Sequence, residues 1–211
     1  KRLVLKVIPE EATRLAALLE AFVRTQESTR PAFRVEAREV DARLAIGGLE
    51  LDLRIDRIDA VDGGRVVIDY KTGELPPARQ WLLPRPLASQ LGLYVLALEA
   101  HMPAERVCTA ALMAIRSGAS ATVGMAAPGA TWPGVVTPPD ASGGKLADFD
   151  AVKLFWRQTL GGLARDFREG LAAVDPRAHP NPCRRCDFKP FCRIDATRQD
   201  DESADDDGGG G

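Results

Sequence analysis

Alternating and helically spaced apolar positions divide this chain into segments before any other signal is needed. Residues 1–8 alternate weakly, which predicts a short strand or the end of a preceding connection. Across 10–25, Leu15, Leu18, Leu19, Phe22 and Val23 recur at helical spacing behind Pro9 and two glutamates, predicting a packing helix. Arg30-Pro31 ends that pattern. Phe33–Ile46 reads as a strand, Gly47-Gly48 as a turn, and the run from Leu49 as a second strand. On it, Leu49, Leu51, Leu53 and Ile55 share one face and Asp56 shows the other. Asp62-Gly63-Gly64 between apolar runs is a hairpin signal, so three strands from about Phe33 to Tyr70 are expected as an antiparallel meander. On the third, Val67, Asp69 and Lys71 point one way, and Val66, Ile68 and Tyr70 the other.

A Pro-rich connection over 74–86, with Trp81, precedes a predicted amphipathic helix at 87–99 that offers Leu87, Leu91, Val95 and Leu98 for burial. Gln90 and Tyr94 are four apart and share one face of it. Residues 106–115 read as a further strand, in which Cys108 is expected as a small buried apolar residue. This strand–helix–strand order implies a right-handed crossover and a parallel pair. Residues 116–145, rich in Gly, Ala, Pro and Ser with two short apolar patches around Val123 and Val135, predict a poorly ordered excursion or a loose hairpin, with no function assigned. A long helix is expected over 148–173, capped by Asp148, kinked at Gly161-Gly162, with Phe149, Val152, Phe155, Trp156, Leu163, Phe167 and Leu171 mostly inward.

Composition narrows the class. With 211 residues and 45% hydrophobic content, one domain with a sizeable core is the default, here 1–195. No apolar run approaches the roughly 20 residues that span a bilayer, so no membrane partner is expected. The net charge is −2, but residues 200–207 hold six acids and no base, leaving +4 on the rest. A mildly basic body is compatible with a nucleic-acid substrate, and 196–211 is expected as a disordered acidic, Gly-ended tail. Three of the four cysteines fall within ten residues. That favours a metal site over a disulfide framework, and a reducing compartment, the cytoplasm.

The chemistry concentrates in Leu51-Asp-Leu-Arg-Ile-Asp-Arg-Ile-Asp-Ala-Val-Asp-Gly-Gly-Arg-Val-Val-Ile-Asp-Tyr-Lys-Thr-Gly73. Folding this hairpin brings Asp56 beside Asp69, and two carboxylates that close repel unless a cation lies between them. Oxygen ligands of this kind suit Mg²⁺ or Mn²⁺. An Asp followed by Asp-x-Lys on a hairpin resembles the PD-(D/E)xK nuclease superfamily. The phrase Arg-Ile-Asp-Arg-Ile-Asp…Ile-Asp-Tyr-Lys-Thr-Gly resembles its RecB/AddB-type branch. Gln90-Leu-Gly-Leu-Tyr94 is similar to the Gln-x-x-x-Tyr motif that follows Asp-x-Lys there and contacts the nucleic-acid backbone.

The resemblance, covering about Glu39 to Arg193, implies a restriction-endonuclease-like α/β fold: a mixed central sheet flanked by helices, with a C-terminal cysteine loop. It implies a metal-dependent DNA nuclease, an exonuclease domain of a recombination and repair protein with helicase-like regions or a partner helicase–nuclease subunit. Asp56, Asp69 and the Tyr70 backbone carbonyl are then the metal ligands, Lys71 orients the water or stabilises the developing charge, and Gln90 and Tyr94 position the phosphate backbone. Glu39 matches the acidic residue that precedes the first metal-binding Asp in the family; a solvated strand glutamate is the alternative. Arg57 and Arg85 are candidate phosphate contacts, with surface roles as the alternative. Cys183, Cys186 and Cys192, in the basic stretch with Arg184, Arg185, Lys189 and Arg193, are similar to part of an iron–sulfur staple. Three readings stay open for them: a 4Fe-4S cluster completed by a cysteine upstream of this chain, Zn²⁺ completed by His179, or no metal. The competing functional class is a catalytically silent DNA-binding or scaffolding domain.

Overall fold

Successive hairpins build half of the sheet. In the computed structural model, which describes residues 4–102, 106–176 and 182–192, β1 (Phe33–Ile46), β2 (Leu49–Val61) and β3 (Gly64–Lys71) form the expected antiparallel meander. The chain then crosses through α2 (Ser89–His101) to β4 (Val107–Ala114), which pairs parallel to β3. β5 (Ala121–Ala126) runs antiparallel to β4, and β6 (Val135–Val136) parallel to β5. The result is a mixed six-stranded sheet in the order β1-β2-β3-β4-β5-β6 with flanking helices, the restriction-endonuclease-like arrangement expected.

Two layers of side chains cover the sheet. On one face, Ile58, Val67, Ala110 and Leu112 meet α2, whose Leu91, Val95, Leu96, Ala97 and Leu98 are all buried. α2 is therefore enclosed nearly all round, beyond the amphipathic expectation, because α4 (Phe149–Arg168) covers its outer side with Phe149, Val152, Trp156 and Leu160. Trp156 Nε1 donates to the Trp81 carbonyl at 3.1 Å and Trp81 Nε1 to the Pro76 carbonyl at 3.1 Å, pinning the Pro-rich connection to α4. A Cβ at Gly47, where φ is 57°, would stand 2.5 Å from the Gly161 carbonyl oxygen, so the β1–β2 turn lies directly on α4. On the opposite face, Val66, Ile68, Ala111 and Met113 pack with Trp132, Val135 and Phe22.

Four expectations change. Residues 116–145 are part of the sheet: β5, β6 and the short helix α3 (Pro138–Ser142) lie there. Small residues hid them because close approach is what they provide; a Cβ at Gly124 would come within 2.9 Å of the Ala110 carbonyl oxygen. Residues 4–8 are helical rather than a strand, since α1 (Val4–Thr25) begins there and runs through Pro9 at the cost of one ladder hydrogen bond, and residues 1–3 lie outside the described residues. Within α1, Phe22 is buried, but Leu15, Leu19 and Val23 are exposed, because helical spacing defines an apolar face without supplying what covers it. Finally, α4 is capped as predicted, with the Ala151 N–H donating to Asp148 Oδ1 at 2.8 Å, but it ends at Arg168 with Phe167 exposed.

Lys1–Arg168 and Glu169–Gly211 form two compact units, and the cysteine loop belongs to the second. Among the described residues no helix is long and apolar enough to cross a membrane. Residues 196–211 lie outside the described residues.

The back face of the sheet also holds charge. Arg30 Nη2 pairs with Asp59 Oδ2 at 2.7 Å and Arg30 Nη1 with Glu27 Oε2 at 2.9 Å, while Arg57 reaches Asp59 at 2.7 Å and Glu27 at 2.8 Å. Asp59 is fully enclosed and balances two guanidinium groups at once. Asp59→Ala leaves two buried guanidinium groups against the single Glu27 carboxylate, and should lower unfolding stability by about 3–5 kcal/mol. Urea denaturation checks this, with Asp52→Ala, in the exposed Arg43–Asp52 pair, leaving the midpoint unchanged.

Candidate active site

β3 brings charge to the end of a strand buried on both sides. Antiparallel pairing of β2 with β3 sets Ile58 against Val67 and Arg57 against Ile68. One further step brings Asp56 opposite Asp69. Asp56 Oδ2 accepts the Tyr70 N–H at 2.9 Å, so the first carboxylate is held against the backbone just after the second. Asp69 is 1% exposed, and its Oδ2 lies 2.5 Å from Lys71 Nζ. Burial raises the Asp69 carboxyl above the ordinary carboxylate range; Lys71 opposes that rise and the Asp56 charge adds to it.

From Lys71 a polar chain runs to α2. Lys71 Nζ donates to Gln90 Oε1 at 2.9 Å, and Gln90 Nε2 to the Tyr94 hydroxyl oxygen at 2.5 Å. The Tyr94 ring belongs to the core at 2% exposure, while its hydroxyl reaches the polar cluster. Burial lifts the Tyr94 hydroxyl pKa, and the charges of Asp69, Asp56 and Glu39 lift it further, though Gln90 opposes this. Three carboxylates from three strands therefore act on one hydroxyl.

Glu39 stands at the position of β1 that would face Asp56, and it adopts a left-handed backbone conformation at φ 52°, rare for a residue with a side chain. Here both strands change the face they bury. Core-facing positions of β1 run through Val40, Ala42, Leu44 and Ile46 on one side of it but Ala37 on the other; those of β2 run through Leu51, Leu53 and Ile55, then Ile58. The strict alternation predicted for β2 thus ends at Asp56, because Glu39 breaks the pleat opposite it. Glu39 Oε2 accepts from Arg54 at 2.7 Å, and Glu39 and Asp56 line a cleft of about 800 Å³. Asp69, Lys71 and Gln90 line a second, of about 370 Å³.

The two arginines named from the sequence differ. Arg57 Nε, Nη1 and Nη2 all donate, to Asp59, Glu27 and the Tyr70 hydroxyl, and its side chain is 12% exposed. A phosphate contact from Arg57 is therefore not carried by its geometry; its charge is spent inside the fold. Arg85 is exposed on the loop before α2. Sequence reading missed the group joining Arg57 with Glu27, Arg30, Asp59 and Tyr70, since partners up to 30 residues apart leave no local signal.

In the second unit, the Cys186 N–H donates to the Cys183 carbonyl at 3.3 Å, and α5 (Lys189–Cys192) follows. Phe188 and Phe191, 6.4 Å apart, are exposed. Among the described residues no group of three His, Cys, Asp or Glu side chains is arranged to hold a metal, and Cys183, Cys186 and Cys192 are not gathered into one. His179 and Arg193 lie outside the described residues. Cys108 is enclosed in β4 as expected, its thiol donating to the Arg65 carbonyl at 3.4 Å.

The donor set at Asp56 and Asp69 fits a hard divalent cation. Mg²⁺ is commonly held by one or two carboxylates, with water and substrate phosphate completing the octahedron. A cation would offset the burial that raises Asp69 and the Asp56 charge that adds to it. Residues 5–193 match the PD-(D/E)XK nuclease superfamily, and the chain belongs to it; nucleases of this superfamily hydrolyse phosphodiester bonds and typically use Mg²⁺ or Mn²⁺. No curated protein matches the chain. Among solved structures it is similar to that of SSO0001, at 17% identity and a TM-score of 0.37, over 85% of this chain and 67% of that one.

The raised Asp69 carboxyl has a measurable consequence. Its folded-state pKa exceeds the unfolded value, so stability is fullest below the unfolded pKa and is lost as pH rises through the folded one. With divalent cations chelated, Asp69→Asn should therefore melt above wild type at pH 7. The gap should close as the pH is lowered towards about 4, where the unfolded-state carboxyl titrates. Scanning calorimetry across that range checks both parts.

Proposed function

We propose that this domain is a Mg²⁺- or Mn²⁺-dependent deoxyribonuclease, acting as the exonuclease domain of a RecB/AddB-like recombination and repair protein in the cytoplasm, alongside helicase-like regions. The observation that carries the reading is the linked set Asp56, Asp69, Lys71, Gln90 and Tyr94. Two carboxylates, a lysine and a Gln–Tyr pair, drawn from two strands and a helix, meet in the order in which the RecB/AddB-type branch carries them.

Asp56, Asp69 and the Tyr70 carbonyl would hold the cation. When bound there, it polarises the scissile phosphate and acidifies a water. Lys71 supplies the remaining work of the chain itself. Its ammonium, held between Asp69 and Gln90 and 38% exposed, orients the attacking water and stabilises charge developing on the phosphate. Gln90 turns its carbonyl to Lys71 and its amide to Tyr94, so the Gln–Tyr pair fixes where that ammonium stands and lines the path of the DNA backbone. Glu39, on the rim of the cleft it shares with Asp56, is a further candidate oxygen ligand once released from Arg54. Arg85, exposed ahead of α2, is the remaining candidate phosphate contact. No groove-reading element is proposed, so cutting should be indifferent to base sequence.

The test compares DNA degradation by wild type, Asp69→Ala and Lys71→Ala in an intact protein carrying this domain, with folding checked in each. Each substitution should lower the rate by on the order of a hundredfold or more while DNA binding persists. Ca²⁺, larger and harder to hold octahedrally, should bind yet support cutting poorly. Equal rates in wild type and Asp69→Ala would leave only the DNA-binding scaffold.

A further inference from the structure

The proposed metal site leaves unexplained the side chains of the residues that follow its two carboxylates. Alternation sends Asp69 to the face of the sheet covered by α2, and Tyr70 to the opposite face beside Phe22. Arg57, which follows Asp56 and pairs in register with Ile68, is on that same back face. There the two side chains meet: Arg57 Nη1 donates to the Tyr70 hydroxyl oxygen at 2.8 Å.

The position of this bond matters more than its existence. The β2–β3 backbone ladder runs from Val61↔Gly64 to Arg57↔Ile68 and goes no further. Asp56 and Asp69 therefore sit one step beyond the last ladder pair, where the backbone no longer holds the strands together and the two negative charges push them apart. Across that step, among the described residues, two bonds tie β2 to β3: Arg57 to the Tyr70 hydroxyl, and the Tyr70 N–H to Asp56 Oδ2. β1 offers no help, because its regular pleat is interrupted opposite Asp56 by Glu39.

Arg57 is also well placed to bear the load. Glu27 and Asp59 grip its guanidinium at 2.8 and 2.7 Å, the Phe33 ring lies beneath it at 5.0 Å, and Arg30 locks Asp59 from behind. A side chain fixed at so many points cannot swing away when the carboxylates are pushed apart. Tyr70 is fixed in turn by Phe22, edge to face at 6.0 Å.

We infer that Arg57 and Tyr70 form a latch on the back of the sheet that sets the spacing of the Asp56 and Asp69 carboxylates. Their side chains are thus positioning groups for divalent cation binding, themselves touching neither cation nor DNA, beside the Tyr70 backbone carbonyl proposed as a ligand. This rests on the metal-site reading proposed above. It assigns Arg57 a role that its charge alone does not suggest, and it makes the helical turn at Glu27–Thr29 part of the support for the site.

The experiment uses the full chain and Mn²⁺ as probe, with calorimetric titration of wild type, Tyr70→Phe and Asp69→Ala. Tyr70→Phe removes one hydroxyl and keeps the ring against Phe22. It should keep the wild-type circular dichroism spectrum but bind Mn²⁺ about tenfold more weakly, the usual effect of losing a group that orients metal ligands. The Mn²⁺ concentration for half-maximal cutting should rise by the same factor. Tyr70→Phe binding Mn²⁺ as tightly as wild type, while Asp69→Ala loses it, would overturn the latch and leave the metal site standing; a lowered melting temperature with unchanged affinity counts the same way. Asp69→Ala binding as wild type would overturn the metal site and the latch together. Should Tyr70→Phe fail to fold, Arg57→Lys carries the same readout: it keeps the positive charge for Glu27 and Asp59 but lacks the planar fork that also reaches Tyr70.

Discussion

β3 is buried on both faces and still has to end in charge, and the rest of the domain is arranged around that conflict. Its parallel pairing with β4, through α2, is what encloses it; its antiparallel pairing with β2 is what brings a second carboxylate to its end. A buried carboxylate in an apolar strand is costly, and Asp69 shows this in its raised pKa. Lys71 offsets part of that cost, and a divalent cation would offset more. The site thus gives up stability to hold a carboxylate where burial disfavours it, a trade common where function needs a strained or unsatisfied arrangement.

The back of the sheet answers with opposite physics. Glu27, Arg30, Arg57 and Asp59 are matched in number and sign, and each sits within hydrogen-bonding reach of another. Buried ion pairs of this kind add little net stability over an apolar filling, because desolvation consumes most of the attraction. What they add is direction: a guanidinium gripped at several points holds its donors at fixed angles, which a leucine cannot do. That rigidity lies directly behind the hairpin carrying Asp56 and Asp69.

Small residues serve the same end farther along the sheet. Ala110, Ala111 and Ala114 on β4 and Gly124 on β5 let the strands and their covering layers approach closely, so the sheet extends two strands beyond β4 with little side-chain volume. By contrast, α1 and the cysteine-bearing second unit expose large apolar groups, Leu15, Leu19 and Val23 in one and Phe188 and Phe191 in the other.

What the sequence by itself determined is the part governed by local rules. Period-two alternation and the Asp-Gly turn defined β1, β2 and β3; the four-residue spacing of Gln90 and Tyr94 put both on one face of α2; and Asp148 capped α4 as read. The pairing of Asp56 with Asp69 was legible for the same reason, since a tight hairpin converts sequence distance into spatial distance by counting. The tertiary structure decided everything that depends on a distant neighbour. Residues 116–145 read as loose because Gly and Ala carry no periodicity, and only the adjacent β4 makes them strands. The apolar stripe of α1 was real but mostly uncovered. The face switch at Glu39 and Asp56 depends on a backbone angle that no residue type announces. Arg57 looked like a free cation suited to phosphate, and became an internal one, because Glu27, Asp59 and Tyr70 were brought to it by contacts that sequence spacing does not encode.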